Sequence, residues 1–204
     1  LKTIKCLDIS YNHLTAEGFK DFMKKLNPSI IESLNFERCC EPDETNFGDS
    51  IVQLINCGHK SLKDLNLAGL NLNENEIIDI LRSVEKCENL KSINLSQQKE
   101  LTFLSLRYLL FSIENLSLES VKLVGCKNLI NSNTFNWQNS SNKKTKIRHV
   151  TMSTPQEPAM KIDFINRMKE LWDSATEAEG KVDEEKKFLI LSRYDDRIEA
   201  PIHW

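Results

Sequence analysis

Apolar residues recur along this chain in one short figure, apolar-x-x-apolar-x-apolar. It returns at Ile4/Leu7/Ile9, Ile31/Leu34/Phe36, Leu62/Leu65/Leu67, Leu90/Ile93/Leu95, Leu118/Val121/Leu123 and Ile147/Val150/Met152. The first residues of successive figures lie 27, 31, 28, 28 and 29 positions apart. A near-constant period of this length marks a chain built from stacked copies of one supersecondary unit. Inside each figure, apolar residues at spacing two point to one side of a short strand and the residues between them point to the other. The segment that follows switches to helical spacing: Phe19, Phe22, Met23 and Leu26; Ile51, Val52, Leu54 and Ile55; Ile77, Ile78, Leu81 and Val84; Leu106, Leu109, Leu110 and Ile113. Each unit is therefore predicted to be a strand followed by a helix. Neither half buries its apolar face alone, so stacking sets the strands into a parallel sheet with the helices behind and one continuous core between.

The predicted fold class is α/β, a solenoid of about six such units, with strands near 4–9, 31–36, 62–67, 90–95, 118–123 and 147–152. The fifth unit departs from the pattern. "INSNTFNWQNSSNKKTK" (Ile130 to Lys146) carries no helical stripe and predicts a loop or single turn, anchored by Phe135 and Trp137. A helix is predicted to start at Pro158, with a stripe at Met160, Phe164, Met168, Leu171, Trp172 and Ala175 and a stop at Gly180. A last strand follows at Phe188 to Leu191. The division expected is a repeat region over 1–156 and a C-terminal cap with tail over 157–204. At the other end, "LKTIKCLDISYNHL" begins inside the figure. It predicts a repeat cut from a longer chain, with Leu1, Ile4 and Leu7 uncovered and upstream domains of the same chain as one partner.

The segment "IKCLDISYNHL" (Ile4 to Leu14) carries the whole pattern L-x-x-L-x-L-x-x-N/C-x-L, and "LESVKLVGCKNL" (Leu118 to Leu129) carries it through Cys126, with its last leucine one position later. On these residues, roughly Leu1 to Pro155 resembles the leucine-rich repeats, and the period with "NHLTAEGFKDFMKKL" is similar to their ribonuclease-inhibitor-like subclass. The resemblance implies a curved solenoid with strands on its concave side. It implies that Asn12, Cys39 and Cys126 satisfy backbone groups at the strand ends, that Gly18 opens a helix, and that Phe22 and Leu26 face the core. Leu70 or Asn71 and Gln98 depart from the Asn or Cys of that position, and the second unit has extra residues around "CCEPDETNFGD", so less regular turns are expected there. Such repeats specify fold better than function. They also occur in activators of the small GTPase Ran, in nucleotide-binding innate-immune receptors and in the Tonsoku-like replication-repair scaffold, which are the regulatory alternatives that the resemblance carries.

Composition narrows the chemistry. With 40% apolar and 28% charged residues, the 204-residue chain has material for a full core, and its net charge of −3 supplies no broad basic field for nucleic acid. The basic cluster "NKKTKIRH" (Asn142 to His149) is the one exception, a solvated loop or a targeting signal. No apolar run approaches the ~20 residues of a membrane span. Cys6, Cys39, Cys40, Cys57, Cys87 and Cys126 show no C-x-x-C pair and no spacing with histidine that suits a metal, so they read as reduced thiols of a cytoplasmic or nuclear protein. Asn94, Asn115 and Asn139 head glycosylation sequons, which that compartment leaves unused. His13, His59, His149 and His203 stand in unrelated contexts, no phosphate-binding glycine loop occurs, and the carboxylate runs at Asp43/Glu44, Asp183 to Glu185 and Asp195/Asp196 fall in turns or tail. No cofactor, metal or enzymatic activity is expected.

The residues between the core positions form columns on the concave side. Asp8, Asn35, Asn66, Asn94, Lys122 and Thr151 make the first, Ser10, Glu37 and Ser96 belong to a second, and Tyr11, Arg38 and Gln97 belong to a third. This polar face predicts a non-enzymatic interaction module, the C-terminal repeat region of a larger intracellular scaffold or sensor, that binds a protein or peptide with Tyr11 and Arg38 as anchors. A structural spacer or a lid over other domains is the remaining alternative.

Overall fold

A computed structural model of the protein describes residues 3–41, 44–111, 117–131, 145, 147–155, 158–176 and 187–191. Seven short strands form one sheet in chain order: β1 (Cys6–Asp8), β2 (Ser33–Asn35), β3 (Asp64–Asn66), β4 (Ser92–Asn94), β5 (Ser120–Leu123), β6 (His149–Ser153) and β7 (Lys187–Leu191). Every adjacent pair is parallel. Helices alternate with them: α1 (Ala16–Met23), α2 (Gly48–Gly58), α3 (Glu74–Val84), α4 (Phe103–Phe111), α5 (Lys127–Asn131) and α6 (Pro158–Thr176). The architecture is thus a repeating parallel α/β stack. The register is uniform, since Leu7, Leu34, Leu65, Ile93, Val121 and Val150 stand side by side across six strands.

This register is what makes a core. Leu34, Leu65, Ile93, Val121 and Val150 are buried, and so are the helix residues that face them, among them Phe19, Ile51, Ile55, Ile77, Leu81, Leu106 and Leu110. Phe19 meets the rings of Phe36 and Phe47 edge-to-face, with centroids 5.3 and 5.4 Å apart. Among the described residues no helix covers the opposite sheet face, where the side chains of β2, β3 and β4 are half-buried or exposed and Ser153 of β6 is buried. Neighbouring strands sit ~4.8 Å apart whereas packed helices need ~8–10 Å, so a stack of such units bends with its strands on the inside.

The strands are shorter than the windows read from the pattern, and after each of the first five the chain passes through a left-handed residue. Positive φ occurs at Tyr11 (54°), Arg38 (46°), Gly69 (66°), Gln97 (61°) and Gly125 (74°), the same position of five units. The turns at Leu70 and Gln98 keep this geometry, whereas the extra residues of the second unit, of which 42–43 lie outside the described residues, add a left-handed residue at Asn46 (70°). Leu70 is buried in the core, and Gln98 takes over the hydrogen bonds of an Asn turn. In the fifth unit, α5 spans five residues, so a short turn of helix does follow the strand. Most of Ile130 to Lys146, with Phe135 and Trp137, lies outside the described residues, as do Gly180 and the tail from Ser192 onward. The predicted last helix is present, with Phe164, Met168, Leu171, Trp172 and Ala175 buried and Met160 half-buried. Strand β7 begins one residue before the expected start.

At the first unit the core thins. Leu7, Ile9 and Leu14 are partly buried, Ile4 is half-buried, and among the described residues β1 pairs with β2 alone. Leu1 lies outside the described residues. Among the described residues no helix is long and apolar enough to cross a membrane.

Candidate functional site

The uncovered sheet face is organised by its first column of side chains. The Oδ1 atoms of Asp8, Asn35, Asn66 and Asn94 each accept the backbone N–H two residues on, from Ser10, Glu37, Ala68 and Ser96, at 2.9–3.1 Å. Each side chain therefore closes its own turn. The remaining atoms link the units: Asn35 Nδ2 donates to Asp8 Oδ2 at 2.9 Å, and Asn66 Nδ2 to Glu37 Oε2 at 3.1 Å. Hydrogen bonds from Ser10 and then Asn35 hold the Asp8 carboxyl below the usual carboxylate range. Lys122 replaces the amide in the fifth unit and is exposed, and Thr151 in the sixth is half-buried.

The second column divides. Glu37 is half-buried and accepts from Tyr11 Oη at 2.7 Å as well as from Asn66. Ser10 is half-buried. Ser96, expected on the open face, is only 7% exposed, and its hydroxyl accepts from the backbone N–H of Val124 at 3.0 Å. Ser153 does the same for Gly125 at 2.9 Å. These two serines stitch turn to turn beneath the surface, because a parallel ladder this short leaves turn amides without a strand partner.

The third column occupies the left-handed position, which swings its side chains to the rim where the strands end. There Tyr11, His13, Arg38, Cys40, Gln97 and Lys99 line a cavity of about 550 Å³, with Leu70 in its apolar wall. The Nε and Nη2 atoms of Arg38 both donate to Gln97 Oε1, Nε at 2.8 Å. Gly69 allows this span. A Cβ there would lie 2.6 Å from Arg38 Cγ, and its φ of +66° already favours glycine. His13 Nδ1 lies 3.5 Å from Glu41 Oε1. The Cys39 and Cys40 sulfurs are 3.5 Å apart, and the bond with Cys39, with burial, pushes the Cys40 thiol up. A second, shallower trough of about 260 Å³ runs along the sheet between Asn35, Asn66, Asn94 and Lys122.

The structure therefore brings Tyr11, Arg38 and Gln97 into one cavity, gathers Asn35, Asn66, Asn94 and Lys122 in the trough, and leaves Asp8, Ser10, Glu37 and Thr151 beside them. Two sets escaped the sequence reading. His13, Cys40, Asn71 and Lys99 line the rim, and Ser33, Asp64, Ser92 and Ser120 line the trough. Both sets are repeat-equivalent, two positions after the left-handed residue and one before the buried strand residue, so the period that revealed the fold also contains them. Among the described residues no three His, Cys, Asp or Glu side chains are grouped to hold a metal ion.

No protein-family model matches the chain, and no curated protein does. Among solved structures it is similar to "Crystal structure of Rad7 and Elc1 complex in yeast", at 20% identity and a TM-score of 0.45, over 60% of this chain and 28% of that one. The similarity thus spans under a third of that structure's chain.

Proposed function

We propose that this chain is a leucine-rich-repeat interaction module of the ribonuclease-inhibitor-like type, which binds a protein or peptide segment on its open sheet face and its rim. It works without enzymatic activity, inside the cell, in cytosol or nucleus. The observation that carries this reading is the continuous uncovered face of an in-register parallel sheet, whose side chains are prefixed by hydrogen bonds to their own turns. A face held in this way loses little side-chain entropy on binding, which is the cost that most weakens flexible polar surfaces. Its polar character suits hydrogen-bonded contacts over apolar burial, and the rim adds an Arg and a Tyr of the kind that anchor interfaces.

Photo-crosslinking tests it. With benzoylphenylalanine placed singly at Ser92, Ser120, Gln53 or Arg82, the face positions Ser92 and Ser120 should give one discrete partner band that the helix-side positions Gln53 and Arg82 do not. Replacing Ser120 by Arg, with the crosslinker at Ser92, should remove that band. Equal yields from all four positions would sink the reading.

A further inference from the structure

The rim cavity, about 550 Å³ against about 260 Å³ for the trough, is one-sided in its charge. Arg38 and Lys99 line it, and no carboxylate among the described residues does. Two carboxylates of the same units stand behind lining residues and do not themselves line the cavity: Glu37 accepts from Tyr11 and Asn66, and Glu41 stands at His13. Arg38 is held by a neutral amide oxygen, and among the described residues neither Arg38 nor Lys99 makes an ion pair. A guanidinium fixed in position but not neutralised is prepared to take a carboxylate in the paired-fork geometry. Its placement is built, not incidental, because the stem crosses Gly69 where any side chain would collide.

Backbone conformation supports the same point. Of the five repeat-equivalent left-handed positions, two hold glycine, whereas Tyr11, Arg38 and Gln97 carry side chains at a cost of about 1 kcal/mol each. All three of those side chains line the cavity.

We infer that the rim cavity is a docking site for an acidic peptide segment, whose carboxylates pair with Arg38 and Lys99 while its apolar atoms rest on Tyr11 and Leu70. This deepens the proposed function and rests on it. The volume of about 550 Å³ accommodates two or three side chains, within the size range of specific pockets. A nucleic-acid strand is the less suited occupant, since the chain carries a net charge of −3 and the cations here form no track along a backbone.

The test is fluorescence anisotropy with a labelled hexaglutamate peptide, with hexaserine, hexalysine and oligo-dT under the same label. Hexaglutamate alone should bind saturably and weaken as salt rises. Arg38→Ala should weaken it about tenfold or more, the worth of one charged fork. Gln97→Glu should do so equally, because it supplies Arg38 with a carboxylate from within. That variant changes one atom of the side chain, and an unchanged melting curve shows that it folds. No saturable hexaglutamate binding, binding indifferent to both variants, or tighter oligo-dT binding would each overturn the assignment. Crosslinking from Ser92 with no hexaglutamate binding removes the acidic ligand alone; loss of both removes the open-face reading as well.

Discussion

Gln98 shows what a single buried residue does here. Fully buried, it donates from Nε2 to the Leu67 carbonyl at 2.7 Å and accepts at Oε1 from the Leu72 N–H at 3.3 Å. Gln98→Leu removes both bonds, leaving the Leu67 carbonyl with the Leu70 N–H at 3.4 Å and the Leu72 N–H with the Leu70 carbonyl at 2.7 Å, and should cost about 1 kcal/mol in urea unfolding. Asn12 makes the related bond to Ile9 in an exposed turn at 2.7 Å, so Asn12→Ala should cost clearly less. The thiols divide by the same logic. Burial pushes Cys87 up to about 11 and Cys126 up to about 12, whereas Cys6 and Cys57 are exposed. A thiol reagent at neutral pH should therefore modify Cys6 and Cys57 in the native protein and reach Cys87 and Cys126 only on unfolding. Glu32 is held down to about 2 by hydrogen bonds from Lys5 and Lys63, the nearer at 2.6 Å. A folded-state value below the unfolded one gives stability present above the ordinary carboxylate range and lost as pH falls toward about 2. The stability difference between the protein and Glu32→Gln should accordingly shrink through that window and vanish below it.

At the scale of elements, the helices are held at their starts by the following unit. Thr15 caps α1 by accepting from Gly18, and Asn73 with Glu76 forms a capping box on α3. Glu76 also reaches back one unit to accept the Gly48 N–H of α2 at 2.8 Å, as Glu44 does for the Ala16 N–H of α1 at 3.2 Å. One carboxylate thus serves two helix N-termini, where the positive end of each helix favours it. Glu76→Ala should destabilise by about 1–2 kcal/mol, the loss of a cap and of its neighbour's bond. Gly48→Ala should do comparable harm, because the added methyl would lie 2.5 Å from Glu76 Cγ and displace the same side chain. Thermal unfolding of the double variant checks the link: if both act through Glu76, their effects should fall well short of additive.

The whole molecule is a stack in which each unit touches its neighbours, so damage should spread along it by distance. Leu65 sits in the middle of the register and is buried; Leu65→Ala should cost about 2–5 kcal/mol through lost contacts and a cavity. Hydrogen exchange should rise first in the units holding Leu34 and Ile93 and least around Val150, and uniform acceleration would contradict nearest-neighbour stacking. Much of this architecture is legible in the residues alone. The recurring figure that contains Leu7, Leu34, Leu65, Ile93, Val121 and Val150, and the helical stripes after it, specify strand-then-helix units and their buried faces, because periods of two and 3.6 are local properties of the chain. The polar columns follow from the same alternation. What depended on tertiary structure is which of those side chains meet. Ser96 looks like its open-face neighbours in sequence but is buried against Val124, and Arg38 finds Gln97 across 59 positions, over Gly69. Those encounters arise from the left-handed turn that follows each of the first five strands and from the stacking of units side by side, and only the assembled sheet fixes either distance.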